Sequence, residues 1–438
     1  MSLGGVFFPP AGDVSSITGF VSGLDNLVAR IASKRTWVTS PGFDIIWIGD
    51  SIPVTGTTST GSSSNGRYRS TAVHTLSKRL QAKYNPNGVT GGLGYIPFYA
   101  GGSVPTSTIA NGGDTICTTS TPLDVTLGDT CVQWSTSAVG TGGRDVGIQA
   151  GTARFIGGQL QSSLAYALQD RAVLDKLIVV GRKFATGGTL AIDAGTGWVA
   201  RGAGGILSTT WDTSGATEYG ARSGLLSCSS TLGDHRIVFR GAAAGNPVFA
   251  DGAIYFIGDS TSGVRSHGLN NPGSRLNLYG ANSQSATIDP WTAMNGNPAT
   301  NGGLVIISSL INEAVAAVSA AAYNTTLVDW IDKILARPST PGVLLIVPVE
   351  PAFIGGLTEA NFDALVTQIY ATAATYAAAG SPVALLDLNV AFGLDGSRYD
   401  GKTRQLGVLN NDYTHLSNYG HSRLADAVFS IFERAWPT

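Results

Sequence analysis

A serine early in the chain and an aspartate–histidine pair near its end are the residues best suited to nucleophilic chemistry. Ser51 ends the apolar run FDIIWIGDS, which is typical of a parallel strand buried on both faces. A serine hydroxyl must lose its proton as it attacks, and a neutral imidazole can accept that proton. His415 could be this base, and Asp412, three positions earlier, could orient the imidazole ring and stabilise its charged form. Without such a histidine, Asp412 would be interpreted as a turn or cap residue.

The Gly-Asp-Ser tripeptide that contains Ser51 occurs again at Gly258–Ser260. The second copy also follows an apolar run, but a further strand-like run comes directly after it, so we predict a turn there. Ser51 is followed by a loop and a helix, as expected of a nucleophile at a sheet edge. His421, six positions after His415, falls inside the predicted last helix and is interpreted as structural.

Strands and helices alternate around these residues. After the first strand and a helix near 67–84, the strand-like runs SGVRSHGL, GGLVIISSL, GVLLIVPV and PVALLDL alternate with helices over 325–336, 359–378 and 416–434. This alternation predicts an α/β fold with a doubly wound, parallel, five-stranded sheet. In such sheets ligands bind at the carboxyl edge of the strands, which is where Ser51 lies.

The middle of the chain has a different pattern. Residues 101–255 contain short apolar runs separated by Gly, Asp and Asn turns, which predicts an inserted antiparallel β-sandwich or jelly roll. The insert would divide the α/β domain into residues 41–100 and 256–438.

Three tryptophans of the insert could stack on a sugar ring, the alternative being that they are core residues. They are Trp134, Trp198 and Trp211. Cys117, Cys131 and Cys228 have no metal-ligand spacing, and we expect reduced thiols. If a disulfide bridge exists, Cys117–Cys131 is the pair we favour.

Residues 1–40 form an N-terminal segment. Its apolar positions follow the 4, 3, 4, 3 spacing of a coiled-coil seam. They are Ile17, Val21, Leu24, Val28 and Ile31. Two heptads favour equally a short coiled coil, which would make a homotrimer, and a single amphipathic helix that packs on the main domain.

Composition excludes several classes of partner. The net charge is −2 and the chain has no basic cluster, so we expect no nucleic-acid partner. No apolar run approaches the length of about 20 residues that spans a bilayer, and we expect no membrane insertion. The sequence MSLGGVFFPP lacks the features of a signal peptide, so we expect none.

Two motifs near the ends of the α/β domain resemble the first and last sequence blocks of SGNH/GDSL hydrolases. They are GDSI at 49–52 and DYTHLS at 412–417. In this resemblance Gly268, within SHGLN, matches the glycine of the second block, and Asn312 matches the asparagine of the third. The resemblance covers residues 43–100 and 263–438, and it implies a flavodoxin-like SGNH fold.

The third block departs from the family pattern at two positions. Leu310 and Glu313 stand where the pattern Gly-x-Asn-Asp has glycine and aspartate. The third block is therefore a partial match.

The resemblance implies a serine esterase without a metal or organic cofactor. Hydrolysis would proceed through an acyl-Ser51 intermediate, with His415 as the base. The backbone N–H groups of Ser51 and Gly268 and the side-chain amide of Asn312 would form the oxyanion hole. The preferred substrate class is an acylated carbohydrate or cell-envelope glycan, and removal of an acetyl group is the simplest reaction.

The N-terminal segment and the Gly/Ser/Thr-rich composition resemble bacteriophage tail proteins that carry an SGNH domain. We therefore expect the protein in a virion or outside a cell. The alternative function is that of an adhesin or receptor-binding protein that binds surface glycans without catalysis. The set Ser51, Asn312, Asp412 and His415 argues against it, because binding alone needs no activated nucleophile.

Overall fold

The computed structural model describes residues 19–39, 41–53, 71–85, 90–92, 94–97, 109–111, 114–116, 133–134, 146–148, 154–156, 176–183, 185, 187–195, 207–216, 218–227, 236–241, 248–270, 275–276, 302–351, 356–394, 407–410 and 414–437. Their strands are β1 (Phe20–Ser22), β2 (Phe43–Gly49), β3 (Gly94–Pro97), β4 (Ile109–Asn111), β5 (Asp114–Ile116), β6 (Gln133–Trp134), β7 (Val146–Ile148), β8 (Arg154–Ile156), β9 (Lys176–Lys183), β10 (Thr189–Gly195), β11 (Leu207–Asp212), β12 (Glu218–Arg222), β13 (Leu226–Ser227), β14 (Arg236–Gly241), β15 (Val248–Phe256), β16 (Val264–Gly268), β17 (Gly302–Ser308), β18 (Gly342–Val347) and β19 (Val383–Asp387). Their α-helices are α1 (Leu24–Ala32), α2 (Ala72–Tyr84), α3 (Ile311–Val315), α4 (Ala320–Leu335), α5 (Glu359–Ala378), α6 (Leu388–Ala391) and α7 (Asn418–Ala435). A short 3-10 helix spans Arg35–Val38.

The central sheet has the order β1-β19-β18-β17-β2-β16 among the described residues. Strands β2 and β16 to β19 run parallel to one another, and β1 pairs antiparallel with β19. In chain order the parallel strands take the spatial order 2-1-3-4-5, which is that of flavodoxin-like doubly wound sheets. The five predicted parallel strands are confirmed, and β1 is an additional edge strand.

Burial explains why these segments became central strands. Every residue of β2, β17, β18 and β19 is buried, as expected of strands covered by helices on both faces. The helices form two groups, because α1 and α2 both pack on α7, whereas α3 and α4 both pack on α5. None of the helices in the described part of the chain combines the length and hydropathy of a membrane span.

The N-terminal helix packs on the chain's own sheet. Helix α1 begins at Leu24, and Val21 lies before it in the extended strand β1. Leu27 and Ile31 are fully buried, and α1 contacts β18 and β19. Ile31 of the predicted seam is therefore covered within the chain and Val21 lies in a strand, which favours the amphipathic helix over the coiled coil. Ile17 lies outside the described residues, and the homotrimer stays a prediction.

The insert is built from antiparallel pairs wherever the structure describes it. One sheet has the order β11-β10-β14-β8, a second has β12-β9-β15-β7-β6 with β13 on β9 and β3 on β15, and β4 pairs with β5. The predicted antiparallel structure is confirmed. Strand β3 precedes residue 101 and yet pairs with β15. The jelly roll and the domain boundaries stay predictions.

Of the candidate residues in the insert, Trp211 can be assessed. It is buried in the hydrophobic core, which confirms the core interpretation for this residue. The side chain of Trp134, the whole of Trp198 and all three cysteines lie outside the described residues.

A buried charged network joins the insert to the central sheet at the end of β2 opposite Ser51. Arg265 donates from Nε to Asp44 Oδ1 at 2.7 Å and from Nη2 to Oδ2 at 3.2 Å. His267 Nε2 lies 2.8 Å from Asp44 Oδ1, and His267 Nδ1 accepts the N–H of Tyr95 in β3 at 3.1 Å. The Nε2 atom of His267 therefore carries the hydrogen that faces Asp44. One carboxylate thus connects β2, β16 and β3.

Asp44→Asn is expected to lower the free energy of unfolding at pH 7 by about 3–5 kcal/mol, because it leaves the Arg265 charge buried without its partner. Burial alone raises the pKa of Asp44, but Arg265 and His267 outweigh that effect and lower the pKa to about 2. The stabilisation is therefore present above the unfolded value of about 3.9 and is lost as the pH falls towards 2. Urea unfolding at pH 7 and pH 3 measures both effects.

The matched control is Asp329→Asn. Asp329 also pairs with a cation, Lys333 at 2.6 Å, but the two side chains are 53% and 55% exposed, against 0% and 2% for Asp44 and Arg265. We expect a loss below about 1 kcal/mol for this exposed pair. Equal losses in the two variants would show that burial of the network does not determine its contribution.

Candidate active site

The carboxyl end of β2 makes a sharp turn at Gly49. Its φ is 124°, and a Cβ atom there would lie 1.8 Å from the carbonyl oxygen of Ser308 on the neighbouring strand β17. Only glycine fits this position. The N–H of Asp50 then donates to the same carbonyl at 2.7 Å. The turn presents Ser51, which is 9% exposed, at the predicted edge of the sheet.

The structure brings Ser51 and His415 together. Ser51 Oγ lies 2.7 Å from His415 Nε2, although 364 positions separate the two residues. The backbone around His415 is held on both sides, because the N–H of Asn410 donates to the His415 carbonyl and the N–H of Ser417 donates to the Val408 carbonyl, each at 2.8 Å. The two side chains are thus within hydrogen-bond distance, and their roles as nucleophile and base stay predictions.

Asp50 is a buried residue of this site to which the sequence analysis assigned no role. Its Oδ1 accepts the N–H of Ile52 at 3.0 Å, and its Oδ2 accepts the N–H of Leu310 at 3.4 Å. Burial, reinforced by the charge of Glu313, raises the pKa of Asp50 to about 7, although the two N–H groups and His415 act against the increase. Asp50 thus fastens the Ser51 turn to the start of α3. Its place in the Gly-Asp-Ser tripeptide was the only signal in the sequence.

The two residues predicted to complete the oxyanion hole lie on the strands that flank β2. Gly268 is the last residue of β16 and pairs with Trp47 of β2. Asn312 lies in α3, directly after β17, whose Ser308 pairs with Gly49. Both residues therefore lie at or just beyond the carboxyl ends of the strands adjacent to β2, which carries Ser51. Their roles as hydrogen-bond donors stay predictions.

The second Gly-Asp-Ser copy is a turn, as predicted. It connects β15 to β16, and Asp259 Oδ1 accepts both the N–H and the hydroxyl of Thr261, at 2.8 and 2.7 Å. His421 is fully buried in α7, and its Nδ1 accepts the N–H of Ala72 at 3.1 Å. The structural interpretation of His421 is confirmed.

The whole architecture matches that of a solved enzyme. A peptidoglycan O-acetylesterase superposes with a TM-score of 0.54 at 15% sequence identity, and the alignment covers 95% of each chain. The chain therefore shares the fold of this esterase. Two family-two carbohydrate esterases, from Clostridium thermocellum and Cellvibrio japonicus, align more loosely. Their TM-scores are 0.30 and 0.28 at 10% identity, over 69% and 70% of this chain and 92% and 96% of theirs. No protein-family model and no curated protein sequence matches this chain.

The first departure in the third block, Leu310, does not lie in left-handed backbone. Leu310, at the position of the pattern's glycine, has a φ of −162°, which is extended backbone that any residue adopts. Its side chain is fully buried, and its N–H faces Asp50. Leucine at this position therefore does not meet left-handed backbone that would favour glycine, and its side chain packs in the hydrophobic core.

The predicted third member of the catalytic set, Asp412, lies outside the described residues, which resume at Thr414. Its role as partner of His415 stays a prediction. Among the described residues, no group of three His, Cys, Asp or Glu side chains could hold a metal ion.

Proposed function

We propose that this protein is a serine esterase that removes O-acetyl or other short acyl groups from a glycan or another cell-envelope component. The observation that carries the proposal is the 2.7 Å contact between Ser51 Oγ and His415 Nε2 at the carboxyl end of β2. This distance permits direct proton transfer between a nucleophile and its base. Glycan binding without catalysis does not require this contact.

The reaction has two steps. In the first, Ser51 Oγ attacks the ester carbonyl carbon while His415 Nε2 accepts the hydroxyl proton, and the alcohol then leaves with that proton. In the second, His415 removes a proton from water, which attacks the acyl-Ser51 carbonyl, and Ser51 leaves with the proton. For Nε2 to accept a proton, Nδ1 must carry the ring hydrogen, and we assign Asp412 as its acceptor. Ser51 N–H, Gly268 N–H and the Asn312 amide would stabilise the oxyanion.

The similarity to a solved enzyme supports the proposed substrate class. A solved structure that aligns over 95% of both chains is that of a peptidoglycan O-acetylesterase. A peptidoglycan or similar acetylated glycan is therefore the substrate class that we assign to this chain. Such a substrate lies outside the cytoplasm, which supports a location outside a cell or in a phage tail. We also propose the homotrimer that the N-terminal segment predicts.

Labelling of the protein with a fluorophosphonate, combined with acetate release from O-acetylated peptidoglycan, tests the function. We expect acetate release by the wild type, and we expect the label on the peptide that contains Ser51, because only a serine with a base beside it reacts rapidly. Ser260, in the second tripeptide, is the internal control and should remain unlabelled. Glycan binding without acetate release or label would favour the adhesin alternative.

A further inference from the structure

A buried carboxyl group lies beside the residue assigned to the oxyanion hole. Glu313 follows Asn312 in α3, and it is only 2% exposed. Its Oε1 accepts the N–H of Leu276 at 2.6 Å and the hydroxyl of Ser309 at 2.5 Å. An acid buried to this extent loses its hydration, and the two hydrogen bonds at Oε1 offset part of that loss. Glu313 takes no part in the two proposed reaction steps.

The two donors belong to segments that meet at the oxyanion hole. Leu276 lies in the segment that follows β16 and Gly268, whereas Ser309 follows β17 and leads into α3. The hydroxyl of Tyr323 in α4 donates to the carbonyl of Ser309 at 2.7 Å and holds it from the other side. One carboxyl oxygen therefore joins the segment after Gly268 to the helix that carries Asn312.

Asp50 holds the same helix from the side of the nucleophile. It accepts the N–H of Leu310, at the start of α3, and that of Ile52, beyond Ser51. Burial raises the pKa of Glu313, and the charge of Glu313 contributes to the raised pKa of Asp50, so the two acids lie within electrostatic range of each other. Helix α3 is thus fastened to the β2 turn by Asp50 and to the segment after β16 by Glu313.

We propose that Glu313 is a positioning residue for the oxyanion hole, which sets the separation between the Gly268 N–H and the Asn312 amide by tying Leu276 and Ser309 to one carboxyl oxygen. The inference rests on the proposed esterase function. Preorganised donors are effective only when they are held close to the position that the oxyanion will occupy. Removal of the tie should therefore affect the transition state more than substrate binding.

A double-mutant cycle tests this role. Glu313→Met keeps the length of the side chain and removes the acceptor, and we expect kcat for p-nitrophenyl acetate to fall about 10- to 100-fold with KM changed less than about threefold. Glu313→Gln keeps an Oε1 acceptor and should retain kcat within about threefold. In an Asn312→Ala background, which itself costs about 10²–10³ in kcat, Glu313→Met should lower kcat by less than about threefold.

The matched control is Asp387→Asn. Asp387 is also a buried acid at the carboxyl edge of the sheet, and its Oδ1 accepts the N–H of Asn389 at 2.7 Å, but it does not join the oxyanion segments. Its kcat should stay within about threefold of the wild type in both backgrounds. If Glu313→Met does not fold, Ser309→Ala, which removes one of the two donors, replaces it in the cycle with an expected kcat loss of about 3- to 10-fold.

The outcomes separate the two proposals. Multiplicative effects of the Glu313 and Asn312 variants on kcat would overturn the positioning role. If the wild type also shows Ser51-dependent turnover, the esterase proposal would still stand. An unchanged kcat in a folded Glu313→Met variant would also overturn the positioning role. Absence of Ser51-dependent turnover in the wild type would overturn both.

Discussion

Ser51→Ala is expected to lower kcat for p-nitrophenyl acetate by at least about 10⁴-fold. The variant keeps the fold, because Ser51 lies at the tip of the turn after β2 and the turn itself depends on Gly49 and Asp50. It loses the hydroxyl oxygen that lies 2.7 Å from the His415 imidazole. The remaining rate should come from donors that polarise the ester for attack by water. Initial rates, corrected for spontaneous hydrolysis, measure the effect.

Ser260→Ala is the control for this variant. Ser260 belongs to the same tripeptide, but it lies in the turn between β15 and β16, where Asp259 is engaged by Thr261. We expect unchanged kcat and KM. If Ser51→Ala kept a tenth or more of the wild-type rate, the nucleophile would have to be sought elsewhere in the chain.

His415→Ala is expected to reduce kcat to the same extent as Ser51→Ala. Without an imidazole at 2.7 Å, the Ser51 hydroxyl has no acceptor for its proton during attack, and the leaving alcohol has no donor. Because the two residues act as one unit, the Ser51→Ala, His415→Ala double variant should be no slower than either single variant. Rates of the three variants with p-nitrophenyl acetate test this expectation.

His421→Asn separates the loss of the base from damage to α7. The asparagine Oδ1 can accept the Ala72 N–H in place of His421 Nδ1, so the contact between α2 and α7 is retained. We expect kcat within about threefold of the wild type and a lower melting temperature.

A double variant much slower than both single variants would mean that Ser51 and His415 contribute independently, which contradicts a nucleophile–base pair.

The two Gly-Asp-Ser tripeptides illustrate what a linear pattern can predict. The end of a buried strand distinguishes Ser51, whereas the strand that directly follows the second tripeptide predicts a turn there. Both interpretations depend on the residues within one strand and one turn on either side. The structure confirms them, together with the bounds of α5 and the spatial meeting of Ser51 and His415.

The N-terminal segment shows where the same reasoning fails. Heptad spacing identifies an apolar helix face, but it does not identify what covers that face. In the fold, Leu27 and Ile31 pack on the central sheet, and Val21 is recruited into an edge strand that pairs with β19. Pairing with a strand more than 300 positions away depends on free edges that exist only after the sheet has formed.

The sequence by itself determined the parts of this protein that depend on local pattern: the buried strands, the helices between them, and the serine that follows the first buried strand. Hydrophobic periodicity and turn chemistry act over a few residues, so they can be recognised in a linear chain. Only the tertiary structure decided that Asp44 binds Arg265, that Asp50 has a raised pKa, and that Glu313 joins two segments of the site. The energy of a buried charge depends on its desolvation and on partners brought from distant positions, and neither exists before the chain has folded.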